Sequence, residues 1–119
     1  MRRFKVSIGT TGVPAPYYVD PHITPVNLGV GVYVTSVGGA NYSVQHTFDD
    51  PFERKQDGRL RWSDPTVFVS GARWINHSTL TSLTSTADSN YAYPPNAVRL
   101  VVNSIGSGET VEMIINQAG

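Results

Sequence analysis

Val26, Leu28, Val30, Val32 and Val34 occupy alternate positions, with Asn27, Gly29, Gly31, Tyr33 and Thr35 between them. A period of two sends the two sets to opposite faces of a strand. The alternation resumes in Tyr42, Val44, His46 and Phe48 against Ser43, Gln45 and Thr47. Val37-Gly38-Gly39-Ala40 lies between the runs as a turn signal whose glycines tolerate positive φ. Residues 26–51 therefore read as a long antiparallel hairpin with one buried face. Asp49-Asp50-Pro51 is expected to end it, because proline donates no ladder hydrogen bond and carboxylates favour water.

Further strands follow from the same pattern. Phe4, Val6 and Ile8 alternate with Arg3, Lys5 and Ser7. Val98, Leu100 and Val102 alternate with Arg99 and Asn103. After the Ile105-Gly106-Ser107-Gly108 turn, Val111, Met113 and Ile115 face one way, which predicts a C-terminal hairpin. A short β run is expected at 66–70, around Val67 and Val69. The Ser/Thr-rich stretch 76–90, with Leu80 and Leu83, reads as a strand or an ordered loop. Residues 9–25 hold Gly12, Pro14, Pro16, Pro21 and Pro25 and form a loop or arm, with Tyr17, Tyr18 and Val19 as its apolar part. Residues 52–64 carry Glu53, Arg54, Lys55, Asp57, Arg59, Arg61 and Asp64. They read as a charged surface excursion anchored by Phe52, Leu60 and Trp62. The expected fold is all-β: one domain over 1–119, an antiparallel β-sandwich or small jelly roll of about seven to eight strands, with no helix.

Composition narrows the classes of function. Nine basic and nine acidic residues leave no net charge, which removes the electrostatic footprint of a general nucleic-acid binder. Arg2, Arg3 and Lys5, like Arg54, Lys55, Arg59 and Arg61, read as solvated surface charge. The absence of cysteine rules out disulfides and thiolate chemistry and suits a reducing compartment. Lys5, Ser7 and Gly9 interrupt any signal-peptide run, and no segment is apolar enough to span a membrane.

No cofactor or metal is expected. His22, His46 and His77 have no metal-ligand spacing, and Asp49, Asp50, Glu53 and Asp57 miss the spacing of a calcium loop. His46, in phase with Val44, is expected to hydrogen-bond at the margin of the core. No nucleophile elbow, phosphate loop or dinucleotide fingerprint occurs. The expectation is a protein that is not an enzyme and has no small-molecule substrate. The aromatics Tyr17, Tyr18, Trp62, Trp74, Tyr91 and Tyr93 lie in or beside loops. Such residues anchor protein interfaces, stack on sugars, or close the ends of a sandwich. We take these six as interface candidates, with Arg54 and Arg61 as polar partners.

Asn41 to Pro51 (NYSVQHTFDDP), Trp74-Ile75-Asn76-His77, Ala97-Val98-Arg99-Leu100 and the closing Ile115-Asn116-Gln117-Ala118-Gly119 resemble small virion structural proteins of tailed bacteriophages. For a β-sandwich of this size the resemblance implies a head decoration, or cement, protein. It would be assembled in the host bacterial cytoplasm and sit on the capsid surface. Its implied partners are the major capsid protein and neighbouring copies of itself, a trimer being one arrangement, with no nucleic acid or membrane. The alternatives are a tail, neck or head-closure component, and a glycan-binding module using Trp62 and Trp74.

Overall fold

The computed structural model describes residues 2–19, 27–35, 39–52, 54–59, 61–62, 64–91 and 95–117. Val26, Val37, Gly38, Leu60, Glu53, Pro21, Pro25, His22 and Tyr93 lie outside the described residues. The strands are β1 (Arg2–Ile8), β2 (Tyr17–Tyr18), β3 (Leu28–Val34), β4 (Asn41–Thr47), β5 (Ile75–Asn76), β6 (Ala87–Tyr91), β7 (Ala97–Ser104) and β8 (Val111–Gln117). One short helix, α1 (Pro65–Gly71), lies between β4 and β5. Two antiparallel four-stranded sheets, ordered β1-β8-β3-β6 and β2-β7-β4-β5, pack face to face as a β-sandwich.

Leu28, Val30 and Val32 of β3 and Val111, Met113 and Ile115 of β8 meet Tyr42, Val44, Val98, Leu100 and Val102 from the other sheet. All are buried. The alternating residues point inward as their period of two requires.

The predicted connectivity was wrong at both hairpins. β3 pairs with β6 and β8, whereas β4 pairs with β5 and β7. The chain thus leaves one sheet at Val34 and enters the other at Asn41. It crosses back between Ser104 and Val111. Each expected hairpin is an arch. Alternation reports that a strand has one buried face; it does not report whether the next strand lies beside it or opposite it.

The two arches interlock, since β3 lies beside β8 and β4 beside β7. Their turns meet at one end of the sandwich, where Glu109 is buried. Its Oε1 accepts hydrogen bonds from the amides of Gly39 (2.7 Å) and Gly106 (2.8 Å), one on each arch. Thr110 N donates to Thr35 Oγ1 at 2.9 Å, and Ser104 Oγ donates to Gly39 O at 2.7 Å. A Cβ on Gly106 would stand 2.1 Å from Glu109 Oε1. Glycine is therefore needed there for space, not for φ.

Each lateral opening of the sandwich is closed by a tyrosine whose hydroxyl reaches across. Tyr17, on β2, donates to Gln117 Oε1 on β8 and packs against Phe4 with ring centroids 5.3 Å apart. Tyr91, on β6, places its hydroxyl 3.0 Å from His46 Nδ1 on β4, and His77 packs edge-on against the same ring. His46 is buried at the core margin, the position its phase implied. Burial first, and the neighbouring His77 second, hold its pKa below the usual imidazole value.

The segment 66–70 is helical rather than extended. Asp64 caps it, Oδ1 accepting from Val67 N at 3.0 Å, and Pro65 occupies the first turn. That Asp-Pro start is a helix signal that outweighs the β-branched Thr66, Val67 and Val69. The Ser/Thr-rich stretch splits in two. Its first part is an ordered loop along β4, with Val44 N donating to Leu80 O (2.8 Å) and Tyr42 N to Leu83 O (2.9 Å); from Ala87 it becomes β6. The described part of the proline-rich arm is anchored, through Gly12 to Val102 and Val19 to Asn96.

Candidate functional site

The described residues between 48 and 74 lead from the end of β4 to β5 and cover part of the outer face of the β2-β7-β4-β5 sheet. Phe68 of α1 is wholly buried and forms the hub. Trp62 meets it edge-on at 5.5 Å, Trp74 at 6.1 Å, and Tyr18, on the outward side of β2, at 6.2 Å. Both indoles are hydrogen-bonded: Trp62 Nε1 donates to Asp50 O (2.9 Å) and Trp74 Nε1 to Val69 O (3.1 Å). Arg99, outward on β7, lies 4.2 Å over the Trp74 ring and donates through Nε to Gln45 Oε1. Arg61 lies 4.6 Å over Trp62. Gly71 makes room for this packing, since a Cβ there would come within 2.6 Å of Trp62 Cζ3.

The base of the excursion is closed by Asp49 and Arg73. Asp49 Oδ2 accepts from Arg73 N at 2.7 Å, and Oδ1 from Nη2 at 2.8 Å. The side-chain and then the backbone hydrogen bonds from Arg73 hold the Asp49 carboxyl below its usual pKa, against a burial effect that raises it. Asp49 is buried, contrary to the expectation that this acidic pair faces water. A fork of donors at the strand end replaces hydration.

Around this pair the surface is apolar. Phe48 and Ile75 are about half exposed and line a depression of about 280 Å³ with Asp49 and Arg73. Phe52, expected to be an anchor, is 73% exposed; its ring lines a second depression with Tyr18, Val19, Pro51 and Asn96. Tyr18 also lines a groove of about 340 Å³ formed by Val13, Pro14, Pro16, Thr66 and Val69. The two hollows share Tyr18, so an apolar band runs from the proline arm past α1 to Phe52.

The eight predicted interface residues separate. Tyr17 and Tyr91 are 3% and 0% exposed and belong to the core. Trp62 is buried in the lid, and Trp74 is half-buried with Arg99 against its ring. Tyr18 remains on the surface band. Arg54 and Arg61 are exposed, Arg54 Nη1 donating to Gly58 O at 2.8 Å. Tyr93 is outside the described residues. Sequence reasoning missed Phe48 and Ile75 as surface residues, and the Asp49–Arg73 closure.

No family model, curated protein or solved structure matches the chain. Among the described residues, no group of three His, Cys, Asp or Glu is placed to hold a metal ion, and no helix is long and apolar enough to cross a membrane.

Proposed function

We propose that this chain is a non-enzymatic virion component, a decoration protein that docks on the major capsid protein lattice and stabilises the head. The observations that carry the reading are the apolar band from Val13 past Tyr18 to Phe52 and the exposed Phe48 and Ile75 beside the Asp49–Arg73 pair. Exposed aromatic and aliphatic side chains beside a closed charge pair are the composition of an interface centre with a polar rim. A stable contact needs about 800 Å² per partner. That is about an eighth of this chain's 6687 Å² surface, and one side of the molecule can supply it. The occupant is a protein shell, because repeated modest contacts on a lattice raise the effective concentration for one another, and a neutral chain adds no long-range repulsion between neighbouring copies.

Quantitative mass spectrometry of purified particles of the encoding phage tests this. Copy numbers on the order of hundreds in the head fraction support it; absence overturns it, and about a dozen copies or fewer moves the chain to a tail, neck or closure ring. Phe48→Ser and Phe52→Ser are expected to fold normally, since Phe52 is largely and Phe48 about half exposed, and to bind undecorated shells at least tenfold more weakly. Undiminished binding by both variants removes the band from the interface.

A further inference from the structure

The opposite side of the sandwich carries a feature that the apolar band does not explain. On the outer face of the β1-β8-β3-β6 sheet, Gly29 and Gly31 of β3 follow one another along an interior strand, Gly29 exposed and Gly31 half-buried beside the Tyr33 ring. Gly29 stands between Asn116 and Asn90, and Gly31 between Ile114 and Asp88, on the neighbouring strands. Tyr33 lies at one end of this shallow trough and Arg3 at the other; together these residues line an open depression of about 310 Å³.

The fold does not require these glycines. Neither has a left-handed φ. A Cβ at Gly29 would meet its nearest atom at 3.9 Å and one at Gly31 at 3.7 Å, both ordinary contacts. The register with both neighbours is regular, so no bulge calls for them. Glycine inside a strand forgoes packing and costs chain entropy, and is found where a ligand or another backbone comes close.

A second, independent observation concerns the walls. The side chains of Arg3, Tyr33, Asp88 and Asn116 are all exposed. None makes a hydrogen bond or ion pair within the described residues, in a chain whose other strand-borne polar groups are mostly paired. The Tyr33 ring leans over Gly31, its Cε2 3.7 Å from where that Cβ would be. It is 54% exposed.

We propose that this trough is a saccharide-binding site for one or two pyranose units of a glycan. The exposed Tyr33 ring offers an apolar surface to the C–H face of a sugar. Arg3 and Asn116 supply donors and Asp88 an acceptor for ring hydroxyls, in the mixture of one platform and few polar groups that small-ligand sites use. The open backbone at Gly29 lets the sugar ring settle beside Tyr33, which itself lies over Gly31. One cation and one anion on the walls leave the site neutral overall, which suits an uncharged sugar over a phosphate or a nucleic acid. The volume is at the small end of ligand pockets, about 300–1,000 Å³, and so admits a short glycan segment rather than a long one. This site does not rest on the virion reading and survives its failure.

The test uses the full chain, an array of immobilised oligosaccharides, and amide NMR titrations with the methyl glycosides of glucose, galactose and N-acetylglucosamine and with maltose and cellobiose. The expected result is an array response and saturable shifts in the millimolar range at the amides of Gly29, Gly31, Asp88, Ser89 and Ile114. Tyr33→Ala should weaken binding roughly tenfold. Gly31→Val should abolish it while leaving the melting temperature unchanged or higher, because valine suits a strand better than glycine. No array response together with no saturable shift overturns the proposal, as do shifts that persist in both variants. A wild-type dimer in sedimentation that Gly31→Val dissociates also overturns it, assigning the face to a second copy.

Discussion

The carboxylate of Glu109 holds two arches together, and its worth can be measured. Glu109→Ala removes an acceptor shared by the amides of Gly39 and Gly106. Hydrogen bonds to a charged group contribute about 1.5–3 kcal/mol each. Gly39 is exposed while Gly106 is half-buried, so water restores part of the first bond and little of the second. Among the described residues Oε2 of the same carboxylate is buried without a hydrogen-bond partner, which offsets part of the gain, so the expected loss is about 1–3 kcal/mol. For 119 residues the unfolding entropy near the midpoint is about 0.25 kcal/mol/K, so a loss of about 3 kcal/mol, the top of that range, lowers Tm by about 12 °C. Glu109→Gln keeps one acceptor oxygen and should lose about 1 kcal/mol.

Gly106→Ala supplies the decisive comparison. Its Cβ would occupy a point 2.1 Å from Oε1 and 3.1 Å from Cδ of Glu109, so the carboxylate must leave its seat. The single variant should therefore unfold at about the temperature of Glu109→Ala, and the double variant little lower. A coupling of about 2 kcal/mol between the two sites is expected in urea or thermal unfolding, within the range found for residues in contact. Strict additivity, or a Glu109→Ala variant as stable as the parent, would refute the staple.

Asp49→Asn should remove a stabilisation that is full above the unfolded carboxyl value near 3.8 and fades as pH falls through the lower folded value set by Arg73. A stability difference between parent and variant that persists undiminished in strong acid contradicts this. His46 has a folded pKa below its ordinary 6.5, so the unfolded chain takes up the proton first and stability declines as pH drops below about 6.5. In His46→Gln, chemical denaturation across that window should show a shallower slope; an unchanged slope assigns the effect elsewhere. Gly71→Ala forces the Trp62 ring off a contact of 2.6 Å and should cost about 1–3 kcal/mol by overpacking. Tryptophan emission should shift to the red while the strand signal in circular dichroism stays, and an unshifted spectrum with full stability would place Trp62 differently.

The site was less legible than the fold. An aromatic near prolines and glycines gives the same local signal whether it closes a sandwich edge, like Tyr17 and Tyr91, or lines the surface, like Tyr18. What separates them is an acceptor supplied by a distant strand: Gln117 for Tyr17, His46 for Tyr91. Phe48 continues the inward phase of β4, yet it follows the strand's last residue, Thr47, and emerges at the surface. Gly29 and Gly31 appeared in the sequence as the polar half of an alternation. That a Cβ at either would make only ordinary contacts became visible once the neighbouring strands were in place.

By itself the chain determined where its long strands β1, β3, β4, β7 and β8 lie and which side of each is buried, because the two-residue period of a pleated strand is a local property that valines and their polar neighbours display directly. It also carried the start of α1, in Asp64 and Pro65, to a reader who weighs a cap above β-branched content. Tertiary structure alone decided that both apparent hairpins are arches, since the choice between lying beside and lying opposite depends on partners some 70 residues away. The same long-range pairing exposes one apolar band and one glycine-floored trough on opposite sides, for a surface is whatever the core has not claimed.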